Sequence, residues 1–149
     1  MTLENLSNLL KTGSLKSERA SAGEFAGLLR SAIVRLQDAK NSSLSQDSRF
    51  DLAYNASHAL ALAALRYHGY RSDNRYLVFQ CLPHTLDAGP EIWRVLAKCH
   101  QQRNLAEYEG YLEIDERLLA ELIIAADWLL DKVQRLPPLV SPDPSPSST

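Results

Sequence analysis

The most chemically suggestive residue of the chain is an arginine in the wrong company. Between Pro90 and Gly110 the apolar residues Ile92, Leu96, Cys99 and Ala106 fall on one stripe at helical spacing, and Arg103 falls in its middle. A charge there must be paired or kept for an anion, because isolated buried charges are rarely tolerated. His100, three residues before it, and Glu107, four after, share that side, and Asn104 and Tyr108 are spaced to pair on the adjoining strip. One reading is an Arg103–Glu107 or interhelical ion pair that closes a partly buried interface, including one between two copies of the chain. The other is an arginine that forks onto phosphate, with Asn104, Glu107 and Tyr108 ordering it and His100 or Tyr108 near enough to act on a bound group.

A second candidate is the run Arg66-Tyr-His-Gly-Tyr-Arg-Ser-Asp-Asn-Arg-Tyr76, in which Arg66, Arg71 and Arg75 interleave with tyrosines. Guanidinium groups neutralise phosphates and aromatic rings stack on bases, so this composition suits single-stranded RNA; dipole and packing roles at helix ends produce it equally well. The acidic cluster Glu107, Glu109, Glu113, Asp115 and Glu116 would repel phosphate and reads as a solvated turn. Cys81-x-x-His84 and Cys99-His100 do not converge at zinc spacing, since adjacent helical residues point about 100° apart. No metal site is expected. Gly-rich phosphate loops, HExxH and nucleophile elbows are missing, and no motif asks for a cofactor. His58, Trp93 and Trp128 read first as packing residues.

The elements that must position these residues are helical, because no alternating β-branched run competes with the helical period. A short helix follows Thr2, with Leu3, Leu6, Leu9 and Leu10 on one side and Gly13 as its stop. A second begins at Ser21, where Ser21 and Glu24 form a capping box. The third, from about Asp47 to His68, is apolar on every side at residues 59–65 and therefore sits centrally, with Gly69 as terminator. A shorter helix from Arg75 to about Leu82 should stop near Pro83. Gly89-Pro90 opens the helix that carries Arg103, Gly110 ends it, and the last helix runs from about Asp115 to Leu136 before Pro137-Pro138. These predict an all-α, antiparallel five- to six-helix bundle as one domain over residues 1–138. The remaining 139–149, almost all Ser, Pro, Asp and Thr, form a disordered tail.

With 149 residues, 45% hydrophobic and a formal charge of -2, the chain lacks the basic excess of a general nucleic-acid binder, so any anion site should be local. The uncharged stretch Leu52 to Leu65 is shorter than the roughly 18 apolar residues of a membrane span. The start lacks a basic leader before an apolar block, which places the protein in the cytoplasm, and Cys81 and Cys99 read as reduced core residues.

The order of these elements, the central helix beginning Ser-Arg-Phe-Asp-Leu-Ala-Tyr (48–54), the turn at Gly69 and Arg-Asn-Leu-Ala-Glu-Tyr (103–108) on a late helix together resemble the HEPN domains. The likeness is to their small stand-alone prokaryotic branch, over about residues 20–136. The resemblance implies a bundle that forms a homodimer through the motif-bearing helices, often paired with a nucleotidyltransferase in a toxin–antitoxin system. Active members resembling this chain are metal-independent endoribonucleases in which an arginine holds the scissile phosphate and a histidine, after a spacer of four to six residues, assists the 2′-hydroxyl. Here that position offers Tyr108, Glu109 or Gly110, and His100 lies on the other side of Arg103. The expectation is therefore a component that binds RNA or a nucleotide, at most a metal-independent endoribonuclease; the alternative is a non-catalytic helical dimerisation or interaction module.

Overall fold

The structure is a computed structural model that describes residues 8–9, 11, 13–110 and 114–139. The leucines at 3, 6 and 10 of the expected first helix lie outside the described residues, as does nearly all of the expected tail, 140–149. Asn8, Leu9 and Lys11 are helical, and Gly13 follows them with a left-handed φ of 82°.

Four long helices dominate: α1 (Ala22–Ala39), α2 (Gln46–Tyr67), α5 (Pro90–Glu109) and α6 (Glu116–Gln134), with the short α3 (Arg75–Gln80) and α4 (Leu82–Thr85) between α2 and α5. The chain is thus mostly helical, as its periodicity predicts. Local chemistry sets the ends. Side-chain oxygens of Ser21, Ser45, Asn74 and Asp115 accept the exposed amides of Glu24, Ser48, Leu77 and Leu118 at the starts of α1, α2, α3 and α6. Pro90 is the first residue of α5, and Gly110 closes it at φ 85°, a conformation that disfavours any Cβ.

Two expectations are corrected. Pro83 does not stop the chain from coiling: the helix breaks at Cys81 and Pro83 enters the first turn of α4, where its missing N–H costs nothing. A short antiparallel strand pair is also present, β1 (Lys16–Ser17) with β2 (Tyr70–Arg71), in register Lys16↔Arg71 and Ser17↔Tyr70. Two residues per strand are too few for alternation to appear in the sequence.

The core gathers around α2. Phe50, Ala53, Tyr54, Ala56, Ser57, Leu60 and Leu65 are buried on several of its sides, and α1 and α6 pack on it and on each other. The hydroxyl of Ser57 donates to the carbonyl of Ala53 at 2.9 Å, which removes the penalty of burying it. Helix α5 packs on α6, α2 and α3, so the face bearing Arg103 looks onto the start of α2 and onto α3. Cys81 and Cys99 are free thiols inside this core, pushed by burial up to about 11 and about 12. No helix among the described residues is long and apolar enough to cross a membrane.

Candidate functional site

Arg103 finds its partner within the chain. Its guanidinium donates to the carboxylate of Asp51 on α2, not to Glu107, and the side chain is 30% exposed. The interhelical reading of this charge therefore holds, and a second copy of the chain is not needed to neutralise it. The guanidinium carbon also lies 5.2 Å from the centre of the Tyr54 ring, within cation–π range.

Tyr54 is the hub. It is buried to 1% and lies against Phe50 and Phe79, with ring centres at 6.3 and 5.8 Å. Burial pushes its phenol pKa up, against the opposing pull of Arg75 and Arg103. Its hydroxyl meets His100 Nδ1 at 2.9 Å, and the amide nitrogen of Asn104 meets Nε2 at 3.1 Å. With that amide donating, Nε2 accepts and Nδ1–H donates to the phenol oxygen, which describes a neutral imidazole. The environment agrees, since burial and then the charge of Arg75 lower the His100 pKa, with Glu107 pulling the other way. Asn104 thus serves His100 rather than Tyr108.

Helix α3 supplies the third wall. Arg75 is exposed, donates to the side-chain oxygen of Asn55 at 3.0 Å and sits 5.6 Å from the Tyr54 ring centre. Among the described residues it has no carboxylate partner, so its charge is uncompensated at the mouth of the cleft. Tyr76, 37% exposed, places its ring 5.5 Å from that of His100. His58, one turn beyond Tyr54 on α2, packs edge-on against Phe79 at 5.9 Å; burial first, then Arg75 and His100, hold it neutral down to about 4. The cleft can accept an anion on Arg75, with a shared guanidinium at Arg103 and a neutral imidazole between them.

Other expected contacts fall elsewhere. Arg66 is 2% exposed: its guanidinium donates to Glu24 at 2.9 Å and to the carbonyls of Glu18, Arg19 and Tyr70 at 2.7, 2.6 and 3.4 Å. With four of its five N–H groups bonded inside the chain and the side chain sealed from solvent, it offers no face to an outside phosphate. Arg71 pairs with Glu18 at 2.8 Å and with Glu24, so the arginine–tyrosine run is divided, and only Arg75 and Tyr76 reach the cleft. The Glu24 carboxylate consequently does not turn back to complete a capping box. Burial opposes its ionisation, but the hydrogen bonds and charges of Arg71 and Arg66 outweigh this and hold its pKa below the usual range. Tyr108 is 93% exposed and Glu107 is exposed at the margin. Glu113 of the acidic cluster lies outside the described residues. No three His, Cys, Asp or Glu side chains among the described residues converge to hold a metal ion.

Asp51, Tyr54, Asn55 and His58 were not anticipated as site residues. Their spacing of three, one and three places them on one stripe of α2, and that stripe is the signal in the sequence. The chain matches no protein-family model, no curated protein and no solved structure, so the functional reading rests on the residues of this cleft.

Proposed function

We propose that this chain is a HEPN-like antiparallel bundle of the toxin–antitoxin or RNA-associated type, and that it binds RNA or a nucleotide by a phosphate in the Arg75–His100–Arg103 cleft. The observation that carries the reading is Arg75, an exposed guanidinium with no carboxylate partner among the described residues, beside a neutral histidine and a second arginine on a rigid aromatic floor. A fixed fork of this kind takes phosphate oxygens pairwise. Binding is the function; cleavage is not expected, because the motif position, after a spacer of four to six residues from Arg103, offers only Tyr108, Glu109 or Gly110, and Tyr108 stands 93% exposed to solvent.

Fluorescence anisotropy with labelled single-stranded RNA tests this. Arg75→Ala and Arg103→Ala should each weaken binding while the circular dichroism spectrum is kept, and Arg103→Lys should restore only part, since lysine lacks the planar fork. Unchanged affinity in both alanine variants would reject the reading. Metal-independent cleavage by the wild type that vanishes in His100→Ala would instead make His100 a base.

The exposed Leu105 (48%) and Tyr108 (93%), three residues apart on α5, favour a second reading, an interaction module that closes a homodimer or docks a nucleotidyltransferase partner there. Light scattering of Leu105→Asp against wild type separates the two, because a dimer closed by this pair would dissociate while RNA affinity stayed unchanged.

A further inference from the structure

The groove between α3 and α5 does not end at His100. On α3, Tyr76 and Gln80 are four residues apart and share a face; on α5, His100 and Trp93 are seven apart and share another. Tyr76 meets His100 across the groove, and further along it Gln80 and Trp93, with Pro83 and His84 of α4, line a separate cavity of about 220 Å³. The two rungs run in opposite directions along the two helices, so the cavity lies further along the same pair of helices, its Trp93 about 10 Å from His100 along α5 at 1.5 Å per residue.

The geometry points to this cavity as a nucleobase subsite beside the phosphate cleft, which makes the ligand class single-stranded RNA whose bases are free to turn outward; the inference rests on the phosphate-binding reading. Its size selects one ring system, since it falls below the roughly 300–1,000 Å³ of pockets that enclose drug-sized ligands. Its walls suit a base. Trp93 gives an indole to stack on, Pro83 an apolar pyrrolidine surface, and Gln80, exposed at the rim, an amide that both donates and accepts along a base edge. No lining residue is acidic, so nothing in the wall repels an incoming strand. Duplex RNA keeps its bases paired and cannot place one here.

The chain has two tryptophans, so Trp128→Phe leaves Trp93 as the sole indole reporter in the full-length protein. In that background a single-stranded RNA hexamer should quench Trp93 saturably, and an abasic oligomer of the same sugar–phosphate length should bind more weakly without quenching. Trp93→Leu, checked by circular dichroism, should weaken hexamer binding about tenfold, the loss one base–aromatic stack typically carries. Gln80→Ala, at an exposed position that folding does not need, should weaken the hexamer and leave the abasic oligomer unchanged. Equal affinity for both oligomers, with Trp93 unquenched and Arg75 still required, would overturn the subsite and leave the phosphate cleft standing. Failure of the wild type to bind either oligomer would overturn both.

Discussion

Tyr54 of α2 and His100 of α5 meet phenol to imidazole at 2.9 Å, and this one contact joins the polar edge of the central helix to the helix that bears Arg103. It fixes the ring plane of His100 and, with Asn104 on the other nitrogen, its tautomer. Removing the hydroxyl in Tyr54→Phe should therefore cost about 1 kcal/mol in urea denaturation, the usual net value of a hydrogen bond. The packing of the aromatic floor should survive, so RNA affinity should stay within a few fold of wild type.

Arg66 and Arg75, two of the three arginines of the run 66–76, should part company on mutation. Arg75→Ala should leave the melting temperature nearly unchanged and lower the salt dependence of RNA binding by about one phosphate contact. Arg66→Ala should instead cost on the order of 3–5 kcal/mol, because it removes one partner of a buried charged network. Paired urea titrations and salt-dependent anisotropy on the two variants check both.

Asp51 holds Arg103 in an ion pair, so on the proposed phosphate-binding reading it would compete with phosphate for that guanidinium. Asp51→Asn removes the competing charge while keeping a polar group of the same shape, so RNA affinity should rise several fold. An affinity equal to or below wild type would mean that Asp51 aims Arg103 rather than masks it.

Acid should destabilise the fold through His58. Its pKa in the folded chain lies near 4, below the 6.5 of the unfolded chain, so the unfolded state binds more protons between those values and stability rises with pH across that window. The contribution is fully present above pH 6.5 and is lost as pH falls to about 4, amounting to at most about 3 kcal/mol. His58→Asn should flatten the pH dependence of the melting temperature over this range.

Gly110→Ala isolates a backbone effect. The residue has φ 85° and a Cβ there would meet no atom of the described residues within 4 Å, so the expected loss of about 1–2 kcal/mol comes from the left-handed conformation. Thermal unfolding of the single variant measures it.

What a sequence reveals here is set by how local the cause is. Ser21, Gly69, Pro90, Gly110 and Asp115 act on their own neighbours, so the helix ends follow from them. The candidate site divides along the same line. His100, Asn104 and Arg103 lie within one turn or so of each other, and their grouping is visible on a single helix. Asp51 and Tyr54 come to them from about fifty residues away, and which turn of α2 faces which turn of α5 depends on packing that one helix does not encode. Arg66 and Arg75 differ for the same reason: nine residues apart in an arginine-rich run, they are sorted into interior and mouth by Glu18 and Glu24 on another segment.

The sealed arginine also bears on how the molecule opens. Residues 18–19, the first turn of α1, the end of α2 and β2 all accept from or pair with Arg66 or its neighbour Arg71, so none of these stretches can peel away without stranding a charge in apolar surroundings. Local fraying, which ordinarily costs little in segments outside the helical core, should be suppressed there. The segment before Ser21 and the Gly69 turn then belong to one cooperative unit, and the Glu18 and Gly69 amides, which hydrogen-bond to the Gly69 and Arg66 carbonyls, should exchange with solvent only when the helical core itself unfolds.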